Sequence, residues 1–261
     1  MSKIEKSFMA RARSWISKND LHGPHAFLRF VMFVFVERLN QATEKEFVLK
    51  GGNLLWVYIR TPRSTVDLDF VTQHLNDHKA VRNQLDVVCK DQAENDVAFE
   101  IVSFKEVSKL AASVVVEYRT PEGQSNKFDL DIVYAPAGSI ATIMSPLDNK
   151  RIICAATMEN IVADKTAAIQ RFGGGNTRMK DFDDLWRIAK TQPDPIEWKN
   201  LAQLFKERSI SPELDPEWVN SQMAKAWKSH CKRSPGLPED LEELIVFCSR
   251  WLVSGLSKNS K

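Results

Sequence analysis

Two short segments of the chain alternate acidic and apolar residues. No other feature of the sequence constrains the possible secondary structure as strongly as this alternation. The first is V-D-L-D-F-V at residues 66–71, and the second is K-F-D-L-D-I-V at residues 127–133. Successive side chains of a β-strand point to opposite faces of the sheet. Each segment therefore predicts a strand that buries its apolar face and presents two aspartates together on the other face.

The aspartates of each pair, Asp67 with Asp69 and Asp129 with Asp131, are separated by a single residue. Carboxylates held side by side repel each other unless a cation lies between them, and Mg²⁺ both prefers hard oxygen ligands and binds nucleotide phosphates. We therefore predict a Mg²⁺ site acting on a nucleoside triphosphate, with Asp67, Asp69 and a third carboxylate from the second strand as ligands. For either segment, a solvated polar strand face is the alternative.

A glycine pair, Gly51-Gly52, precedes the first acidic segment and follows a short apolar run. Glycine lets the backbone approach a ligand closely and adopt a positive φ. The helix predicted for residues 53–60 would then present free N–H groups to an anion. The pattern indicates a phosphate-binding turn, and a simple tight bend is the alternative.

A lysine and two aspartates further along the chain suit the same chemistry. Lys165 lies in a predicted helix over residues 158–172, close to its apolar face, from which it could reach a cleft and neutralise phosphate charge. Asp181 and Asp184 share one face of the next predicted helix and could orient Lys165 or Arg178 by ion pairing. The alternatives are a solvated lysine and carboxylates that only favour the helix dipole.

Composition and element pattern place these features in an ordinary globular chain of 261 residues with a net charge of +2. The N-terminus lacks the apolar core of a secretory signal, and the four scattered cysteines indicate reduced thiols, so we expect a cytoplasmic protein. Strands and helices mix in residues 1–145, whereas helices alone are predicted in residues 146–261. The mixed part includes predicted helices over residues 4–17 and 78–92 and a predicted hairpin of the strands 113–119 and 127–135. Between two of these helices, G-G-G-N at residues 173–176 lacks the G-K-[ST] of a P-loop and predicts a flexible connector.

Together these segments resemble the AbiEii/AbiGii-type nucleotidyltransferases, which are toxin components of bacterial toxin–antitoxin and phage-defence systems within the DNA polymerase beta-like superfamily. The resemblance implies an α+β fold, with a polymerase-beta-like mixed sheet and flanking helices in residues 1–145. A helical region, residues 146–261, would follow and complete the active-site cleft. The matching segments are K-G-G-N-L-L (50–55), R-S-T-V-D-L-D-F (63–70), F-D-L-D-I-V-Y (128–134), E-N-I-V-A-D-K-T-A-A-I (159–169) and R-M-K-D-F-D-D-L-W (178–186).

The resemblance also implies roles for individual residues. Two departures stand out: Asn53 replaces the Ser or Thr that usually follows the glycine pair, and Asp129 adds a carboxylate where the family often has a basic residue. Asp129 is therefore a further candidate metal ligand. The implied roles are metal binding by Asp67, Asp69 and Asp131, catalysis by these three with Lys165 and Asp184, and nucleotide binding by Gly51, Gly52, Asn53, Ser64, Lys165 and Asp181.

The activity implied is transfer of a nucleoside monophosphate from a nucleoside triphosphate to RNA, such as a tRNA end, or to a protein. Mg²⁺ would be the cofactor, with Mn²⁺ as a substitute, a cognate antitoxin would be a partner, and no membrane would be involved. The alternatives are an aminoglycoside-modifying type of small-molecule nucleotidyltransferase and a non-catalytic nucleotide-binding module. Five basic residues could guide RNA through phosphate contacts, although a Mg²⁺-bound triphosphate would attract the same charges. They are Lys150, Arg151, Arg171, Arg178 and Lys180.

Overall fold

A computed structural model gives the fold of most of the chain. Parts of two predicted helices, residues 4–6 and 91–92, lie outside the part that it describes. That part comprises residues 7–43, 45–90, 96–135, 138–191 and 196–258.

The chain divides into two compact units, each built from two stretches of sequence. The first unit comprises residues 1–54 and 64–156, and the second comprises residues 55–63 and 157–261. This division falls between Ala156 and Thr157, eleven residues after the predicted boundary at 145/146. The stretch 55–63 was predicted to belong to the first part, and it clusters with the second.

The first unit contains a seven-stranded mixed sheet, which confirms the predicted fold class. The strand order is β3-β4-β5-β2-β1-β7-β6, with β2–β5 and β1–β7 parallel and the other neighbouring pairs antiparallel. The strands are β1 (Phe47–Lys50), β2 (Asp67–Thr72), β3 (Ala98–Ser108), β4 (Ala111–Arg119), β5 (Ser125–Tyr134), β6 (Ile140–Met144) and β7 (Ile152–Ala156). The predicted hairpin of β4 and β5 is present, whereas β6 and β7 were not predicted.

Helices flank this sheet. Helix α1 (Phe8–Lys18) packs on α2 (Ala26–Ala42), which packs on β1 and β7, and α4 (His78–Lys90) packs on β3. Helix α3 (Gly51–Ile59) begins in the first unit and ends in the second. Helix α2 is buried on most sides, and its Phe35 ring packs edge-on against Phe99 and Phe128, at centroid distances of 5.1 and 5.5 Å. Aromatic packing of this kind fixes the helix over the strands that carry the aspartates.

The alternation of acidic and apolar residues has the predicted structural effect on both strands. Leu68, Phe70, Leu130 and Ile132 are at most 1% exposed and form part of the core. At the alternate positions the aspartates are half-buried on β2 and exposed on β5. Burial of the apolar set fixes the register, because a slip of one residue would turn the carboxylates into the core.

The second unit is helical, as predicted. Its helices are α5 (Met158–Phe172), α6 (Met179–Thr191), α7 (Trp198–Glu207), α8 (Ser221–Cys231) and α9 (Leu241–Lys258). Helix α5 packs on α6 and α7, and α6 packs on α8 and α9. Within the described part of the chain, no helix combines the length and the apolar character needed to cross a membrane.

A buried polar network ties α6 to α8. The Asp183 carboxylate is 0% exposed and accepts hydrogen bonds from Arg187 Nε, His230 Nε2 and Ser234 Oγ at 2.5, 2.8 and 2.6 Å. Burial alone raises the pKa of Asp183, but the hydrogen bonds from His230 and Ser234 and the charge of Arg187 outweigh it. The pKa of Asp183 therefore lies below its ordinary value of 3.8.

Candidate active site

Four aspartates meet on one face of the sheet in the first unit. The parallel pairing of β2 with β5 sets Asp67 opposite Asp129 and Asp69 opposite Asp131. Residues paired in this way point to the same face, and neighbouring strands lie about 4.8 Å apart. These four residues, which we call the acidic array, therefore form a two-by-two group of carboxylates.

Three carboxylates of the acidic array are not neutralised by an ion pair. Within the described residues, Asp67, Asp129 and Asp131 form no ion pair with a lysine, arginine or histidine. Lys50 of β1 is paired with Asp69 in the sheet, and Lys127 lies on β5 two residues before Asp129. A group of carboxylates with this surplus of negative charge attracts a cation.

Gly51 makes room for one member of the array. Its φ is +73°, a conformation that L side chains rarely adopt, and a Cβ atom added there would overlap the Asp69 carboxylate. The absence of a side chain at Gly51 therefore has two consequences. It allows the backbone conformation at the start of α3, and it leaves the space that the Asp69 carboxylate occupies. Sequence reasoning predicted the first of these requirements and missed the second.

Asn53 is held in a different way from the one predicted. Its side chain is 1% exposed, and its amide nitrogen donates to the main-chain oxygen of Asp67 at 2.6 Å. Its Oδ1 atom is buried and has no hydrogen-bond partner among the described residues. Because the buried amide already binds β2, the predicted phosphate contact of Asn53 is not the arrangement in this structure. The residue instead positions the first residue of the strand.

The other predicted phosphate contacts lie near the start of α3 and β2. Gly52 is buried in the first turn of α3, where backbone N–H groups lack acceptors within the helix. Ser64 is exposed in the irregular segment that leads into β2. Both positions are compatible with their predicted roles, which stay predictions.

The donor set of the array suits Mg²⁺. No group of three or more His, Cys, Asp or Glu side chains in the described ranges is drawn close enough to hold a metal ion by itself. Mg²⁺ typically keeps several water ligands and is bound by one or two carboxylates together with substrate phosphates. Two neighbouring carboxylates on a solvent-facing strand therefore meet its requirements without a closed protein cage.

A second charged group lies in the second unit. Lys165 Nζ lies 2.8 Å from Asp181 Oδ1 and 2.8 Å from Asp184 Oδ2, so the ion pairs predicted from the i, i+3 spacing are present. The two carboxylates are 1% and 0% exposed. With Arg63 and Arg178, which bind the same carboxylates, these residues form what we call the lysine cluster.

Arg63 was quoted in a sequence motif but given no role. Its guanidinium binds Asp184 through two hydrogen bonds, Nε to Oδ1 at 2.9 Å and Nη2 to Oδ2 at 3.3 Å. On the other carboxylate, Arg178 Nε donates to Asp181 Oδ2 at 3.0 Å. Three cations therefore face two anions, and the cluster keeps one positive charge in excess.

Lys165 is protonated at neutral pH. Burial by itself lowers the pKa of Lys165, but the carboxylates of Asp184 and Asp181 outweigh this effect and hold the pKa above the ordinary value of 10.5. A lysine in this state cannot accept a proton from a substrate. Its side chain offers positive charge and hydrogen-bond donors.

The basic residues predicted to guide RNA are divided between the units. Lys150 and Arg151 belong to the first unit, where Arg151 Nη1 binds Glu37 Oε2 at 2.9 Å. The others, Arg171, Arg178 and Lys180, belong to the second unit and are exposed.

Comparison with known proteins agrees with this geometry. A family model described as the nucleotidyl transferase AbiEii toxin of type IV toxin–antitoxin systems matches residues 34–246. The matched stretch contains both the acidic array and the lysine cluster. No curated protein sequence matches the chain.

Two solved structures from Helicobacter pylori share the fold. One is a candidate nucleotidyltransferase with a TM-score of 0.57 and 20% identity, covering 88% of this chain and 94% of its own. The other, JHP933, has a TM-score of 0.56 and 20% identity, and covers 87% of this chain and 90% of its own. Likeness at this identity shows the fold, and the family model supplies the assignment. The chain belongs to the AbiEii family of nucleotidyltransferases, the toxins of type IV toxin–antitoxin systems.

Proposed function

We propose that this nucleotidyltransferase moves a nucleoside monophosphate from a nucleoside triphosphate to RNA, such as a tRNA end, with release of pyrophosphate and with Mg²⁺ bound at the acidic array. The observation that carries the proposal is the in-register pairing of two D-x-D strands, which gathers carboxylates on one open face. Mn²⁺ is a chemically suitable substitute, because it accepts the same oxygen ligands. Nucleotides and RNA are cytoplasmic molecules, so we place the activity in the cytoplasm, with a cognate antitoxin as partner.

The array residues take different parts in this proposal. Asp67, Asp69 and Asp131 hold the metal, and Asp129 is a further candidate. Asp131 is preferred because it is paired with Asp69, whose carboxylate fills the space beside Gly51. When bound there, Mg²⁺ would supply charge neutralisation for the triphosphate and for the attacking hydroxyl.

The start of α3 serves the phosphates. Free backbone N–H groups at Gly51 and Gly52 suit phosphate oxygens, and the exposed Ser64 hydroxyl supplies a further donor. Asn53 contributes indirectly, because its hydrogen bond to the Asp67 main chain fixes where the first carboxylate of β2 begins. In this assignment Asn53 is a positioning residue.

The lysine cluster contributes preorganised charge. Asp184 and Asp181 hold Lys165 in one orientation before any substrate binds, so no reorganisation is needed when negative charge develops on the phosphates. Lys165 is the charge-stabilising group in this proposal. Asp181 and Asp184 orient it, and Asp184 also binds Arg63.

The test is a transfer assay with each radiolabelled nucleoside triphosphate, Mg²⁺ or EDTA, and total RNA or total protein as acceptor. We expect label on RNA that depends on Mg²⁺ and is lost in the Asp67→Asn/Asp69→Asn variant. Glu100→Gln, which neutralises an exposed acid elsewhere on the sheet, is the matched control and should transfer label normally.

Three outcomes contradict parts of the proposal. Label on protein alone would replace RNA as the acceptor. Label on an added small molecule alone would favour the aminoglycoside-modifying type of reaction. No label on any acceptor, with growth inhibition unchanged in the double variant, would favour the non-catalytic nucleotide-binding module.

A further inference from the structure

An aromatic ring is exposed at the C-terminal end of α5 in the second unit. Phe172 is the last residue of the helix and is 43% exposed. The guanidinium carbons of Arg171 and Arg178 lie 5.8 and 6.0 Å from its ring centroid. An exposed phenylalanine flanked by two guanidinium groups presents flat, polarisable surfaces together with positive charge.

The backbone beside this ring is fixed. Residues Gly173–Gly175 form one turn of 3₁₀ helix, and Gly173 has a φ of +44°. The side chain of Asn220 donates to the Gly174 carbonyl at 2.7 Å, and the same asparagine caps α8. The ring therefore extends from an ordered turn anchored to a neighbouring helix, and little conformational entropy would be lost when a ligand covers it.

The ring is also connected to the lysine cluster. Arg178 Nε binds Asp181, and the other oxygen of Asp181 binds Lys165 Nζ. The Arg178 side chain is still 51% exposed, so part of its guanidinium faces solvent. Lys180 adds another exposed positive charge on the first turn of α6.

We propose that Phe172, with Arg171 and Arg178, stacks on an unpaired base of the acceptor RNA. This inference rests on the proposed function and adds a binding site to it. Aromatic rings and guanidinium planes are the usual stacking partners of single-stranded bases, while neighbouring cations bind the phosphates. Arg171 and Phe172 end helix α5, and Arg178 follows the Gly173–Gly175 turn.

An RNA base suits this surface better than the base of the donor nucleotide does. Small ligands are usually bound in concave sites that enclose most of their surface. The Phe172 ring instead lies on an open surface with exposed basic residues around it, which suits a strand that continues past the stacked base. The phosphates of such a strand could be bound by several separate basic side chains.

The inference is tested by fluorescence anisotropy with the full-length protein and a labelled, unstructured 12-nucleotide RNA, without any nucleoside triphosphate. Phe172→Ala should raise the Kd for RNA about 5- to 150-fold, the range that one stacked base provides. Phe172→Trp should bind RNA at least as tightly as the unmodified protein. Arg171→Ala should reduce the slope of log K against log salt by about 0.7.

Phe247→Ala is the matched control, since Phe247 is 39% exposed on α9 of the same unit. Its Kd for RNA should be unchanged, and the binding of a labelled nucleoside triphosphate should be unchanged in every variant. Unaltered RNA affinity in Phe172→Ala, or the absence of RNA binding by the unmodified protein, would overturn the inference. A parallel loss of triphosphate binding in Phe172→Ala would also overturn it and assign the ring to the donor base.

The result separates this inference from the proposed function, because binding is measured without turnover. If the protein binds RNA through Phe172 but has no transfer activity, the inferred RNA site is supported and the proposed function is contradicted. Transfer to RNA that is indifferent to Phe172→Ala would keep the activity and remove the site.

Discussion

The acidic array and the lysine cluster solve the problem of grouped charges in opposite ways. In the array, four carboxylates lie half-buried or exposed on a sheet, and three of them, Asp67, Asp129 and Asp131, form no ion pair within the described residues. In the cluster, two carboxylates are fully buried and each accepts hydrogen bonds from two basic residues. The array is thus complete only when a cation arrives, whereas the cluster is complete before any ligand binds.

The comparison separates the two groups energetically. Water screens the repulsion within the array, so its aspartates cost little stability, and neutralising one of them relieves a small repulsion. Removing one partner of the cluster instead leaves a buried charge without compensation. Mutations in the array should therefore change activity alone, and mutations in the cluster should change stability as well.

The largest effect is expected from neutralising the array. Asp67→Asn or Asp69→Asn should lower the rate of nucleotidyl transfer about 10³-fold or more, because the metal loses a charged ligand. In Asp67→Asn, the free energy of unfolding should stay within about 0.5 kcal/mol of the original value. Initial rates with labelled nucleotide and urea unfolding measure the two quantities. A stability loss as large as the one expected for the cluster would end the distinction between the two groups.

A large loss of stability is expected from the cluster. Asp184→Asn should lower the free energy of unfolding by about 3–5 kcal/mol, because the buried positive charges of Lys165 and Arg63 lose their common partner. Chemical denaturation measures this change. The double variant Asp184→Asn/Lys165→Met removes one of the unpaired charges and should recover part of the loss. No recovery would mean that the ion pair is not the cause.

A smaller and pH-dependent loss is expected at Asp183. Its pKa is lowered in the folded state, so its contribution to stability is present above the ordinary value of 3.8 and disappears as the pH falls through the folded-state pKa. Asp183→Asn should cost about 1.5–3 kcal/mol at pH 7 and should flatten the decline of stability below pH 3.8. Both effects are measured by the midpoints of denaturant unfolding at a series of pH values from about 2 to about 7. Equal steepness in the two proteins would contradict the prediction.

A modest loss of stability is expected at Gly51, and a loss of activity should accompany it. Gly51→Ala and Gly123→Ala both place a side chain at positive φ, +73° and +87°, and each should cost about 1–2 kcal/mol. Only Gly51→Ala also displaces the Asp69 carboxylate, since nothing lies within 4 Å of a Cβ at Gly123. Transfer should therefore fall about 10-fold or more in Gly51→Ala alone. A similar fall in both variants would assign the effect to the backbone.

Local patterns predicted the acidic strands well because their cause is local. A period of two in 66–71 and 127–133 fixes which side chains are buried, and the structure confirms this alternation. The pairing of Lys165 with Asp181 and Asp184 followed from helical spacing in the same way. Strands β6 and β7 were missed because each is five residues long, and they become recognisable only through pairing with each other and with β1.

Contacts between distant parts of the sequence lay beyond this reasoning. Arg63 binds a carboxylate 121 residues further along the chain, and no spacing rule connects the two. The G-G-G-N segment, predicted as a flexible connector, is an ordered 3₁₀ turn because Asn220 binds it from another helix. In both cases the missing information was the partner, which the folded structure supplies.

The same long separation has a consequence for synthesis on the ribosome. Arg63 is made 121 residues before Asp184, which corresponds to about 6–24 s at the usual rates of translation. During that interval the segment 55–63 has left the ribosome while most of its own unit is not yet made. A chain that ends early can contain both acidic strands and still lack the carboxylate that binds Arg63. Premature termination of this toxin therefore yields a protein without its lysine cluster, so only nearly complete translation delivers the set of charges proposed for transfer.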